Sequence, residues 1–152
     1  MRGNKRGVGG ALVILLLLLI QPVLAEEASG ILTVEIGGLV DASGSVFIAV
    51  YDNEDDWLGK NAAARKEVVI EDSLSGEFVV TEMVLPVGEY ALTVFYDANG
   101  NGDLDTNFIG LPKEPIALSN NAKAKFGPPK YKDARFNLSL EPLIQRISMG
   151  QL

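Results

Sequence analysis

The chain has no cysteine and no histidine. Without cysteine there is no disulfide, no lipid-modified thiol and no thiolate nucleophile. Without histidine, the Ser–His and Cys–His pairs of nucleophilic catalysis are excluded, and so are zinc sites built on His or Cys. Helical patterning is scarce as well. No amphipathic stretch runs longer than a turn or two, and Glu54–Ala64 is the only helix candidate. Internal repeats and low-complexity linkers are lacking, which points to one β-domain.

Basic charge is also in short supply: 13 Lys and Arg stand against 20 Asp and Glu, a net charge of −7. Three of the basic residues, Arg2, Lys5 and Arg6, precede an apolar run from Ala11 to Ile20. Gln21-Pro22 breaks that run, and Val23-Leu24-Ala25 leaves small residues three and one positions before Glu26. A basic start, a short apolar stretch and an A-x-A-like end describe a signal peptide over residues 1–25. The strictly apolar stretch falls short of the ~20 residues that span a bilayer. Export to the periplasm or beyond is therefore expected, with no stable membrane insertion after cleavage. The mature domain, residues 26–152, then carries a net charge of −10, because all three charges lost are basic. That acidity repels nucleic acid and anionic lipid alike, and suits cations or solubility.

The mature chain reads as strands. Leu32, Val34 and Ile36 share one face of Ile31–Ile36, as do Val46, Ile48 and Val50 within Ser45–Tyr51. Val68–Ile70 and Phe78–Val80 flank a turn-like Asp72–Gly76. Glu89–Tyr96 places Tyr90, Leu92, Val94 and Tyr96 opposite Ala91, Thr93 and Phe95. Ala134, Phe136, Leu138 and Leu140 alternate near the end, and Ile144–Met149 is apolar enough to pair. About seven short strands separated by Gly, Pro, Asn and Asp predict an all-β fold, a single antiparallel β-sandwich. Pro112, Pro115, Pro128 and Pro129 keep residues 108–132 out of a central strand. That segment is expected to be a long loop over one end of the sandwich, folding back on the turn that follows Tyr96. Trp57 is expected to plug the core beneath a loop, in preference to standing exposed as a sugar platform.

That turn, Asp97–Asp105, is the chemically richest stretch. Asp97, Asn99 and Asn101 put side-chain oxygens at alternate positions, and Gly102 stands sixth. Asp103 can offer its backbone carbonyl, and Asp105 stands ninth. This spacing suits Ca²⁺, bound weakly at ~10⁻⁴–10⁻³ M as in extracellular modules. An EF-hand would close with a bidentate Glu at the twelfth position, where this chain has Phe108. The missing carboxylate must then come from elsewhere, with Glu114, Asp133 or Asn107 nearest in sequence. The competing reading is a plain hairpin turn, since Asn-Gly pairs tolerate positive φ. Three carboxylates within nine residues repel unless neutralised, which a plain turn does not require.

Leu85-Pro86-Val87-Gly88-Glu89-Tyr90-Ala91, the loop itself, Asn107-Phe108-Ile109-Gly110-Leu111-Pro112-Lys113-Glu114, Ser119-Asn120-Asn121 and Phe126-Gly127-Pro128-Pro129 occur in an order that resembles the DUF2141 family. These are small exported bacterial proteins of unassigned function, and the resemblance covers about residues 30–147. It implies a β-sandwich related to transthyretin-like and carboxypeptidase-regulatory-like modules, and no activity. The expectation is a non-enzymatic binding or structural module of the cell envelope, with an envelope or extracellular partner. Its metal ligands would be Asp97, Asn99, Asn101, Asp103 and Asp105. Two alternatives stand beside it. One is a carrier of a small apolar ligand in a pocket lined by Tyr90, Tyr96 or Trp57. The other is a hydrolase using paired carboxylates such as Asp103 and Asp105.

Overall fold

Alternating side chains become strands here because each strand has a core to cover on one face. The computed structural model describes residues 27–39, 42–123 and 127–149. The expected signal peptide, residues 1–25, lies outside them. Among the described residues there are nine strands: β1 (Ser29–Gly37), β2 (Ser45–Tyr51), β3 (Ala64–Val69), β4 (Leu74–Ser75), β5 (Phe78–Pro86), β6 (Gly88–Asp97), β7 (Ile116–Leu118), β8 (Phe136–Leu138) and β9 (Leu143–Ser148). One sheet has the order β4-β5-β1-β9; the other runs β3-β2-β6-β7, with β8 paired to the first three residues of β6.

The inward rows are those expected. Leu32, Val34 and Ile36 of β1, Val46, Ile48 and Val50 of β2, and Leu92 and Val94 of β6 are buried. With Val79, Met83 and Leu85 of β5 and Ile147 of β9, they form one core cluster drawn from both sheets. Each fully buried aliphatic side chain contributes about 1.5–3 kcal/mol of transfer free energy. The chain changes sheet between β5 and β6 at the single residue Val87, and the Tyr90 hydroxyl secures this corner by donating to the Pro86 carbonyl at 2.9 Å. A second crossing is the one-turn helix Ile70–Ser73, which carries the chain from β3 to β4.

Several expectations need correction. There are nine strands instead of about seven, and the sheets are not wholly antiparallel, because β9 lies parallel to β1, Leu32 facing Leu143. Alternation reports which face a strand buries, and it carries no information on the direction of its neighbour. Glu54–Ala64 is not helical. The Asn53 side chain accepts from the Asp56 amide at 2.9 Å, and Leu58 stands at φ 62°, where a right-handed helix cannot continue. The strand expected through Ala134–Leu140 is only three residues long. Ala134 closes a helical turn, Tyr131–Ala134, and Leu140 faces solvent. Finally, residues 108–132 are not all loop. Ile116–Leu118 pairs with β6, Thr93 facing Leu118, at an edge where prolines are tolerated.

The outer face of the β2–β6 sheet is covered by a second, smaller cluster: Ala49, Tyr51, Ala91, Leu118, Tyr131 and Ala134. Trp57 packs edge-on between Tyr51 and Tyr131, at 5.3 and 5.8 Å, and its indole N–H donates to the Pro129 carbonyl at 2.9 Å. It is therefore neither the expected core plug nor an exposed platform, but a half-buried side chain packed against this outer cluster. Ser119 is fully buried, accepting from the Leu92 amide and donating to the Ala134 carbonyl, so one hydroxyl ties β6 to the Tyr131 turn. Asn121 reaches β9, accepting from Ser148 N and donating to Arg146 O, which covers backbone groups on that strand.

Candidate functional site

β6 ends on Asp97, a buried carboxylate delivered by a rigid strand. The chain then wraps around that carboxylate. Asp97 Oδ1 accepts from the Gly100 amide at 2.7 Å and from Asn101 N at 3.2 Å, and Oδ2 accepts from Gly102 N at 2.8 Å. Converging amides of this kind require residues at positive φ, and Gly100 and Gly102 supply it at 73° and 79°. Asn99 and Asn101 each accept from the amide two residues on, at 3.1 and 2.8 Å, as Asx turns do.

The side chains of Asn99, Asn101 and Asp105 come together. Asn99 Nδ2 donates to Asp105 Oδ2 at 2.6 Å, and Asn101 Nδ2 approaches the same oxygen at 3.4 Å. The Asp105 charge is thus met by two amide N–H donors. Asp103 is exposed on the outside of the turn. Asp97, Asn99, Asn101 and Asp105 therefore form one cluster, with Asp103 at its margin. Among the described residues no three His, Cys, Asp or Glu side chains gather closely enough to hold a metal ion. Any cation here would rely on the two asparagine carbonyls together with Asp97 and Asp105. Asp97 Oδ1 and Asp105 Oδ2 each already accept two N–H groups, so the lone pairs left for a cation are those on Asp97 Oδ2, Asp105 Oδ1 and the two asparagine carbonyls.

Of the three residues considered as the missing cation ligand, Glu114 is the one bonded to the loop, and its partners there are backbone amides. Its carboxylate is buried and bridges the loop, Oε1 accepting from Ala98 N and Oε2 from Asp105 N, both at 3.0 Å. Asp133 sits in the Tyr131–Ala134 turn, and Asn107 builds a turn of its own. Sequence spacing placed Glu114 within reach but could not show that its partners are backbone amides. The expected fold-back of the Pro-rich segment is correct as far as Glu114 and Pro115, whose carbonyl accepts from Tyr96 N at 3.0 Å.

Burial acts to raise the Asp97 pKa, but hydrogen bonds from the amides of Gly102, Gly100, Asn101 and Asn99 outweigh it and hold the carboxyl below the usual carboxylate range. A depressed folded-state pKa stabilises the fold fully above the unfolded value, and that stability is lost as pH falls through the folded value. Thermal melts of wild type and Asp97→Asn should therefore differ most at neutral pH. The gap should begin to narrow as pH falls past the unfolded carboxylate value, about 3.9, and close only once pH has passed through the lower folded value. A gap independent of pH would contradict this account.

Other residues singled out from the sequence lie apart from the loop. Tyr90 fills the core, the Tyr96 hydroxyl donates to the Ser43 carbonyl, and Trp57 lies on the outer face of its sheet. Two open depressions, of about 490 and 380 Å³, are lined instead by Phe78, Asn121 and Arg146 and by Ile116, Leu118 and Met149. Phe108, Ile109 and Leu111, in the segment expected to pack over one end of the sheets, are exposed to solvent instead.

Residues 34–144 match the family described as uncharacterized proteins conserved in bacteria, DUF2141. The chain belongs to that family. The DUF2141 match runs from within β1 to the first residues of β9 and includes the whole Asp97–Asp105 loop with Glu114. No curated protein and no solved structure matches the chain.

Proposed function

We propose that this DUF2141 protein is a non-enzymatic, exported binding or structural module of the cell envelope. In this reading it is a sandwich of the transthyretin-like and carboxypeptidase-regulatory-like kind, and its Asp97–Asp105 loop takes up Ca²⁺ weakly. The observation that carries the reading is the convergence of Asp97, Asn99, Asn101 and Asp105 on one turn, held from behind by Glu114. The backbone cage and the Glu114 bridge hold the turn in place before any ion arrives, which reduces the ordering a ligand must impose. Ca²⁺ accepts mixed carboxylate and amide oxygens, with water completing its shell. Mg²⁺ demands a stricter octahedron and retains more of its own water. Binding would neutralise carboxylates that now rely on N–H donors alone.

Calorimetry tests this. At 10 mM Ca²⁺ the melting temperature of the purified protein should rise by several degrees, the size expected for a Kd of ~10⁻⁴–10⁻³ M. Asp105→Ala should abolish the rise while leaving the Asp97 cage in place, and Asp97→Ala should abolish it too. A melting temperature indifferent to Ca²⁺ would sink the metal reading.

A further inference from the structure

Beyond the acidic loop the chain makes a tight projecting turn. An isolated bridge between Thr106 and Pro112 forms its base, and Lys113 N donates to Asp105 O at 2.9 Å. The turn thus stands on the segment that Glu114 holds. At its tip Phe108 is 99% exposed, Ile109 63% and Leu111 56%, with Leu104 38% exposed at the base. A fully exposed phenylalanine contributes nothing to the core. Contiguous exposed apolar side chains with a polar surround mark surfaces that meet a protein or a membrane.

Three observations separate these two. The first is backbone satisfaction. Asn107 Oδ1 accepts from both Ile109 N and Leu111 N at 3.0 Å, Gly110 N donates to Asn107 O, and Asn107 N donates to Leu111 O. Four of the five amides from Asn107 to Leu111 are therefore bonded within the turn itself, which lowers the cost of shallow entry into an interface where the remaining backbone groups still meet water and headgroups. The second is charge. No residue from Thr106 to Pro112 is charged, and the first charges on either side, Asp105 and Lys113, lie at the base. The third is exposure: Phe108, Ile109 and Leu111 stand in solvent together, and a deformable apolar phase can receive them without a preformed pocket.

We infer that residues 108–111 are a lipid-docking tip that inserts shallowly into the interface of a neutral, zwitterionic bilayer. The neutral lipid follows from the charge near the base, where Asp103 and Asp105 outnumber Lys113, and from the net acidity of the chain, so anionic headgroups are repelled. The inference deepens the envelope-module reading by naming its partner. It does not depend on Ca²⁺, so the two fail separately when the experiment is done in EDTA.

The chain has no cysteine, so Leu111→Cys carries a single environment-sensitive fluorophore. On adding phosphatidylcholine vesicles in EDTA, its emission should rise and shift to the blue. Phe108→Asp in the same labelled chain should weaken the response by about ten-fold or more. A label at Ser139 should not respond, because Ser139 adjoins the Gly88 end of β6, about 30 Å of strand from Asp97. An unresponsive Leu111 label, a response that survives Phe108→Asp, or an equal response at Ser139 would each overturn the inference. So would a wild-type dimer that Phe108→Asp dissociates, which would assign the tip to a second copy of the chain.

Discussion

Gly30→Ala should lower the stability of the fold by about 3 kcal/mol or more, at the upper end of what overpacking costs. Gly30 is buried near the start of β1, paired with Leu85 of β5. A methyl group there would overlap the carbonyl oxygen of Ser139 and press to 2.9 Å from Leu138 Cγ. The first of these neighbours is backbone, so no rotamer change relieves the overlap. Something larger must move, and β8 is the weakest candidate to resist. It has three residues, paired to Gly88–Tyr90 of β6. Displacing it would open one end of the core, where Phe136 and Leu138 are buried. Urea denaturation checks this through a lower midpoint at unchanged slope. The neighbouring Ile31→Ala, at an exposed position, serves as a control and should shift the midpoint little. An unchanged midpoint in Gly30→Ala would mean that β1 and β8 do not approach as closely as described.

Glu114→Ala should cost about 2–4 kcal/mol. The substitution removes the acceptor of two amides at once, and hydrogen bonds to a charged group contribute about 1.5–3 kcal/mol each where burial is deep. Ala98 is exposed and Asp105 half-buried, so water recovers some of that loss. Glu114→Gln should cost less, since its single carbonyl still satisfies one amide. The structural consequence reaches further than the energy. Pro115 O holds Tyr96 N, and β7 begins one residue later. Releasing Glu114 should therefore loosen the β6–β7 edge together with the loop. Hydrogen exchange should show the amides of Ala98, Asp105 and Tyr96 losing protection together. Protection lost at Ala98 and Asp105 alone would mean that the loop and the strand edge are independent units.

The strand faces were legible because the physics that sets them is local. Leu32, Val34 and Ile36 recur every second residue, and a strand with that pattern has one face to bury whatever it pairs with. The same holds for Leu92 and Val94. Where a segment's state depended on a distant partner, the pattern misled. Ala134 alternates with Phe136 and Leu138, yet it packs in the smaller cluster on the outer face, because the chain turns at Tyr131–Ala134 to meet Trp57. Glu54–Ala64 has acceptable helix formers, but one asparagine side chain bonded to Asp56 N offers the backbone a competing turn.

The candidate site divides in the same way. That Asp97, Asn99, Asn101 and Asp105 belong together follows from their spacing, since a glycine-rich turn of nine residues leaves them no room to separate. What satisfies each oxygen does not follow. Asp97 could face a cation or a cage of amides, and only the path of the backbone through Gly100 and Gly102 places three N–H groups upon it. Glu114 is nine residues beyond Asp105, and folding alone brings its carboxylate to both sides of the loop.

The sequence by itself determined the family, the β character, the inward rows of the main strands and the composition of the acidic loop. Each of these depends on residue identity at short range: period-two alternation, Asn-Gly turn chemistry and the order of a few motifs. Only the tertiary structure decided that β9 runs parallel beside β1, that Ser119 joins β6 to the Tyr131 turn, and that Glu114 closes the loop. It also decided that Phe108 stands wholly in solvent. These are relations between residues far apart in the chain, or between a residue and the space around it. A hydrophobic side chain in a loop reads identically whether it packs down or projects. Exposure belongs to the assembled surface, and no local pattern of residues encodes it.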